Sequence, residues 1–224
     1  FPSTGAFFPP GLAVHTGNPV RVMIREGDAE RGRRFLGVDA RLPLVTVLGG
    51  SQGASSLNRA ARELAGSGDL DFNLAHQCGR GNLRADAPGE FSGGGRYLQY
   101  EFIGEEIGDV LAASDLVVSR AGAGALSEIA CAGKPSVLVP LPRSGSRGEQ
   151  IANARFFADS GACRVLPDER LSGRSLKRAV EEMLSNRNTL REMGRRARSL
   201  FEDRAESTIV DLLLEKKLEK TRHR

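Results

Sequence analysis

Two glycine-rich segments hold the residues best suited to chemistry. Gly49-Gly50-Ser51-Gln52-Gly53 follows an apolar run and precedes a stretch whose apolar residues fall at helical spacing. Missing Cβ atoms let such a backbone approach an anion, and the free N–H groups and positive dipole end of the following helix point towards it. Ser51 adds a hydroxyl donor, so Gly49, Gly50, Ser51 and Gly53 form a candidate phosphate loop. The alternative is a tight turn with no ligand, since the segment is neither the Walker pattern nor a clean Gly-x-Gly-x-x-Gly.

The second segment runs from Ala121 through Gly122, Ala123, Gly124, Ala125, Leu126 and Ser127 to Glu128. It is expected to place Ser127 and Glu128 in the first turn of a helix. A carboxylate in such a turn either accepts from ribose hydroxyls, as in nucleotide-binding α/β folds, or merely stabilises the helix terminus. A third group, Gln150 and Asn153, starts another helical stretch behind a loop containing Arg143 and Arg147. Amide side chains both donate and accept, which suits the hydroxyls of a neutral hexose, although the same residues make an ordinary solvent-facing helix start.

Other candidates are weaker. Asp69-Leu70-Asp71 has the form of a metal-holding pair, but it follows Gly66-Ser67-Gly68, where two acids usually serve a turn. His15, His76 and His223 have no Cys or carboxylate at ligand spacing, so no metal site is expected. Cys131 lies inside an apolar helical pattern and reads as core rather than nucleophile.

The elements that must position these residues alternate along the chain. Strands are expected at 20–24, 42–48, 72–77, 97–103, 116–119, 136–140 and 163–166. Helices are expected at 55–65, 106–113, from the second glycine segment to Gly133, and at 150–160, 175–184, 189–201 and 206–218. Residues 25–34 are charged and show little apolar face. Strands alternating with helices imply a doubly wound, Rossmann-like parallel sheet, whose ligands bind outside the carboxyl ends of the strands.

Composition fits that class. The 224 residues carry a formal charge of +4, yet residues 216–224 alone hold five Lys/Arg and one Glu, so residues 1–215 balance at 27 charges of each sign. A neutral body with few aromatics argues against nucleic acid as a partner. The basic tail is either a solvated helix end or a segment attracted to anionic lipid. The longest apolar runs, 42–48 and 137–142, fall far short of the ~20 residues of a spanning helix. Three widely spaced cysteines, Cys78, Cys131 and Cys163, fit a reducing compartment. The chain opens on Phe1 without a charged-then-apolar leader, and its first 17 residues, rich in Pro, Gly and Phe, read as a linker or the remnant of an absent domain.

Taken together, several segments resemble the MurG family, the UDP-N-acetylglucosamine transferases that complete the lipid-linked peptidoglycan precursor. They are Gly17-Asn18-Pro19-Val20-Arg21, residues 48–54 with Leu57-Asn58, His76-Gln77, Glu101-Phe102-Ile103, residues 127–135, and Gln150-x-x-Asn153-Ala154, all in the family's order. The resemblance implies one half of a glycosyltransferase-B fold, the carboxyl-terminal half that binds the sugar donor. It implies that Arg21 and Ser51 contact the diphosphate and that Ile103 holds uracil through its backbone. Ala123, Gly124, Ala125, Leu126, Ser127 and Glu128 would surround the nucleotide, with Glu128 on the ribose, and Gln150 would contact N-acetylglucosamine. No cofactor or metal is implied, and the catalytic base is unassigned.

The implied organisation is a linker or remnant at 1–17, a UDP-sugar-binding domain at 18–201, and an amphipathic helix with a basic tail at 202–224. In the family that last helix packs back towards the amino-terminal half, which would cover Ile209, Leu212 and Leu213. The implied partners are UDP-N-acetylglucosamine and, through an absent amino-terminal half, a lipid-linked muramyl-peptide acceptor. The implied location is cytoplasmic, peripheral on the inner face of the cell membrane. Two alternatives stay open: a UDP-sugar epimerase or another glycosyltransferase on the same fold, and a non-catalytic UDP-sugar-binding subunit that needs a partner chain.

Overall fold

A computed structural model describes residue 9 and residues 13–85, 89–145 and 148–222, with 216–222 as helical backbone. Most of the expected 1–17 segment, Arg147, His223 and the side chains of the basic tail lie outside the described residues. In chain order the elements are α1 (Val22–Arg25), α2 (Ala29–Leu36), β1 (Leu44–Leu48), α3 (Ser55–Ala65), β2 (Asn73–Gln77), β3 (Tyr97–Tyr100), α4 (Ile107–Ala113) and β4 (Leu116–Ser119). Then follow α5 (Ala123–Cys131), β5 (Ser136–Leu138), α6 (Glu149–Asp159), β6 (Cys163–Val165), α7 (Gly173–Leu184), α8 (Arg187–Ser199) and α9 (Ala205–Arg222).

The strands form one parallel sheet in the order β3-β2-β1-β4-β5-β6. Every residue of β1 is buried, and its side chains alternate between two cores. Leu44 and Leu48 join the core beneath α1, α2, α4, α5 and α6, while Val45 and Val47 join the one beneath α3 and α7. A strand covered on both faces therefore reads as a continuous apolar run. Each such aliphatic side chain taken from water contributes about 1.5–3 kcal/mol. The one polar member, Thr46, keeps its hydroxyl satisfied by Ser114 Oγ at 2.7 Å.

The order reverses between β1 and β4, which pair with Leu48 opposite Ser119. The two glycine-rich turns that follow these strands thus emerge side by side at the carboxyl edge of the sheet, the place where doubly wound folds bind ligands.

Residues 20–24 are not the expected strand. Val20 and Ile24 are buried four residues apart while Val22 between them is 64% exposed, which is helical rather than alternating burial. The charged segment after it is helix α2, capped by Asp28, whose side chain accepts from the Arg31 N–H, and closed by Gly37. Its buried face is built from Gly32 and Leu36. A Cβ at Gly32 would collide with the Asp109 carbonyl of α4, so a missing side chain rather than a large apolar one brings the helices together. Arg31 and Asp109 lock the contact at 2.7 Å.

The start of α9 returns to the beginning of the chain. Glu206 accepts from the Val20 N–H at 3.1 Å and pairs with Arg25 at 2.8 Å. Beyond that first turn, Val210, Leu213 and Leu214 are more than half exposed.

Candidate functional site

The first glycine turn is held from below by a buried polar chain. Gly49 N–H donates to the Gln77 carbonyl at 3.0 Å, and Asn58 of α3 donates through Nδ2 to the Cys78 carbonyl at 2.7 Å. Asn58 Oδ1 meets His76 Nε2 at 2.9 Å, and His76 Nδ1 meets the Tyr97 hydroxyl at 2.8 Å. Burial, with the nearby Arg62 charge, lowers the His76 pKa from 6.5 to about 4. Neutral His76 is therefore a strut for the turn. Gly53 faces this chain: a Cβ there would strike the Cys78 carbonyl.

The second turn is fixed by Arg120, the residue after β4. Its guanidinium donates to Asp168 Oδ1 at 2.7 Å, to Ser56 Oγ at 2.6 Å and to the Val139 carbonyl at 3.1 Å. That network joins the ends of β4, α3 and β5 around a largely buried ion pair. Asn153 adds a bond from α6 to the Ala121 carbonyl at 3.1 Å.

Between the turns lies a pocket of about 390 Å³. It brings together Gly49, Gly50 and Ser51 of the first turn, Gly124, Ala125 and Glu128 of the second, and Arg21 and Ile103 from the flanks. Gln77, Phe102, Ile107 and Arg120 complete the wall. Arg21 reaches across the pocket to Glu128, with Nη2 and Nε at 2.9 and 3.1 Å from Oε1. The helix behind the second turn begins at Ala123, and Gly122 supplies no side-chain cap. Its first-turn N–H groups are thus available to an anion.

Some expected residues stand elsewhere. Ser127 and Glu128 belong to the second turn of α5 rather than the first. Glu128 is thus too far along the helix to act as a terminal cap, and its carboxylate lines the pocket and pairs with Arg21. Ser127 spends its hydroxyl on the Ala123 carbonyl at 2.9 Å. With Ala123 and Leu126 it faces a separate cleft beside Phe157 and Phe201. Gln150 folds back so that Oε1 accepts from the Leu141 N–H at 3.1 Å, and it does not line the pocket. The Ile103 N–H is taken by Gln77 Oε1 at 2.9 Å.

From the sequence Arg120 has no expected role, and Gln77 none beyond its place in the His76-Gln77 motif. Both stand at the carboxyl edge of the sheet, Gln77 as the last residue of β2 and Arg120 as the first after β4. Asp69 precedes β2 and therefore lies at the amino edge of the sheet, with its carbonyl bonded to Lys177. Among the described residues no group of His, Cys, Asp and Glu is arranged to hold a metal. Cys131 is buried and its thiol is pushed up by desolvation, and burial pushes the Cys163 thiol up to about 12.

A doubly wound parallel sheet with paired glycine turns at its switch point defines the class of Rossmann-like domains. Residues 44–209 match the glycosyltransferase family 28 C-terminal domain, and the chain belongs to that family. It is 37% identical over 188 residues to a UDP-N-acetylglucosamine--N-acetylmuramyl-(pentapeptide) pyrophosphoryl-undecaprenol N-acetylglucosamine transferase of Geobacillus kaustophilus, an alignment covering 84% of this chain and 52% of that protein. The crystal structure of Acinetobacter baumannii MurG superposes with a TM-score of 0.70 at 28% identity, covering 93% of this chain and 58% of that one. CalG4, the calicheamicin glycosyltransferase, matches at a TM-score of 0.60 and 22% identity over 82% of this chain and 45% of that one, a likeness of fold alone. The fold is that of one half of a glycosyltransferase-B enzyme, and the chain spans about half the length of the curated relatives it matches.

Proposed function

We propose that this chain is the donor-binding half of an inverting transferase that moves N-acetylglucosamine from UDP-N-acetylglucosamine to a lipid-linked muramyl-peptide acceptor. The observation that carries the reading is the single pocket shared by the two glycine turns of β1 and β4, with Arg21 and Glu128 at its side. In this reading uracil lies against Phe102 and Ile103, and Glu128 accepts from the ribose hydroxyls. The diphosphate sits over Gly49, Gly50 and Ser51, facing Arg21 and the amino end of α5.

The acceptor hydroxyl attacks the anomeric carbon in line. The bond to the diphosphate oxygen breaks with inversion and UDP leaves. Charge growing on the diphosphate is met by preoriented N–H groups and by the Arg21 fork, which contacts two oxygens at once. The acceptor site and the base that takes the hydroxyl proton belong, in this proposal, to an amino-terminal half. The exposed Val210, Leu213 and Leu214 of α9 offer that half an apolar surface. A peripheral position on the cytoplasmic face of the membrane follows from such an acceptor. No helix among the described residues is long and apolar enough to cross a bilayer.

Calorimetric titration with UDP, UDP-N-acetylglucosamine and ADP, with and without magnesium, tests the reading. Uridine nucleotides are expected to bind at least tenfold more tightly than ADP whether or not magnesium is present. Equal binding of ADP, or no nucleotide binding by folded protein, rejects it.

A further inference from the structure

At the opposite edge of the sheet, where β1, β4 and β5 begin, a cavity of about 610 Å³ lies between the strand starts and α8. Its walls are cationic. Arg33 and Arg41 are paired with Asp115 and Asp39, and Arg195 and Arg198 with Glu192 and Asp203. Lys134, Arg187 and Arg191, which also line it, form no ion pair within 4 Å among the described residues, although Asp115 of the same wall acts on Lys134 from further away.

Three features make this more than a solvated charged face. Arg187 and Arg191 are four residues apart on α8, so both project to the same side. The first turn of α8 contains Arg187 and no acid, an arrangement that opposes the helix dipole and that a bound anion would reverse. Lys134 is partly buried with its Nζ on the Ala112 carbonyl at 2.6 Å, and desolvation lowers its pKa. Pro43, Pro135 and Leu190 line the wall between these cations.

We propose that this cavity is a second anion site, taking a compact ligand with a diphosphate or two phosphate groups held by Arg187, Arg191 and Lys134. The volume falls in the range of small-molecule sites, and the arginine fork matches phosphate oxygens. Soluble diphosphates and anionic lipid headgroups share this chemistry. The site lies at the far edge of the sheet from the donor pocket and does not depend on what that pocket binds.

The test is calorimetric titration of pyrophosphate into the full chain at low salt with UDP saturating, comparing the unaltered protein with the double variant R187Q/R191Q. Both side chains are exposed, so the variant is expected to fold. The unaltered chain should bind one equivalent, and the variant at least tenfold more weakly with its UDP affinity unchanged. No binding by the unaltered chain, or equal binding by both, overturns the proposal. Failure of UDP to bind would reject the donor reading alone, since the comparison between the two chains still stands. Co-sedimentation with phosphatidylglycerol vesicles that pyrophosphate reverses assigns the ligand to headgroups. Pyrophosphate binding without co-sedimentation assigns it to a soluble diphosphate.

Discussion

Arg21 and Glu128, 107 residues apart in the chain, close on one another across the candidate donor pocket at 2.9 Å. Their side chains are 45% and 23% exposed, and a pair in that setting is worth about 0.2–1 kcal/mol. Hydrogen bonds between a charged group and a ligand contribute about 1.5–3 kcal/mol each. In the proposed reading a nucleoside diphosphate would therefore outcompete the pair, taking Arg21 through its phosphates and Glu128 through its ribose.

That exchange predicts separable losses. Glu128→Ala should weaken UDP binding about tenfold and abolish discrimination between UDP and 2′-deoxy-UDP. Arg21→Ala should weaken UDP more than it weakens uridine. Titration of the four ligand and variant combinations decides the matter. Unchanged UDP affinity in the Glu128 variant sinks the ribose assignment.

The glycines of the first turn make a second contrast. Gly50 and Gly53 share the left-handed conformation, with φ of 79° at each. A side chain in that region costs about 1–2 kcal/mol wherever it stands. A Cβ on Gly50 meets nothing within 4 Å, whereas one on Gly53 collides with the Cys78 carbonyl. Gly50→Ala should thus cost about 1–2 kcal/mol of stability while blocking the phosphate approach and cutting UDP affinity at least tenfold. Gly53→Ala should cost more stability than that. Urea unfolding and UDP titration on both variants check the split; equal stability losses would contradict it.

What the sequence disclosed followed from signal strength. The run at 42–48 was readable because burial on both faces leaves a single polar position, Thr46, and the glycines after it marked the turn. Residues 20–24 were too short to separate a period of two from one of 3.6, and glycine packing hid the face of α2. The start of α5 was misplaced because Gly122, Ala123, Gly124 and Ala125 include no capping side chain. Arg21 and Glu128 were legible as residues, through the family resemblance, but their mutual contact depends on long-range packing. The same holds for Gln150, whose amide turns to the Leu141 N–H, and for the anchoring of Arg120 to Asp168.

His76 predicts an acid sensitivity of defined sign. Its pKa is about 4 in the folded chain against 6.5 for a free histidine, chiefly because burial disfavours the imidazolium. Between these values the unfolded chain holds a proton that the folded chain does not, so stability must fall as pH decreases through that window. At about 1.4 kcal/mol per unit, the loss from pH 7 to pH 4 is at most about 3 kcal/mol. The lowered carboxylates, such as Asp109 with its Arg31 partner and Glu206, titrate below their ordinary values near 4. They leave the interval from pH 6.5 to pH 5 to His76. Urea unfolding across that interval should show stability declining in the unaltered chain. In His76→Gln, which keeps an amide beside Asn58 and Tyr97, the slope should be nearly flat and the starting stability lower. The same slope in both proteins would mean that His76 is not the group taking up the proton, and that the first glycine turn is not held by a neutral imidazole.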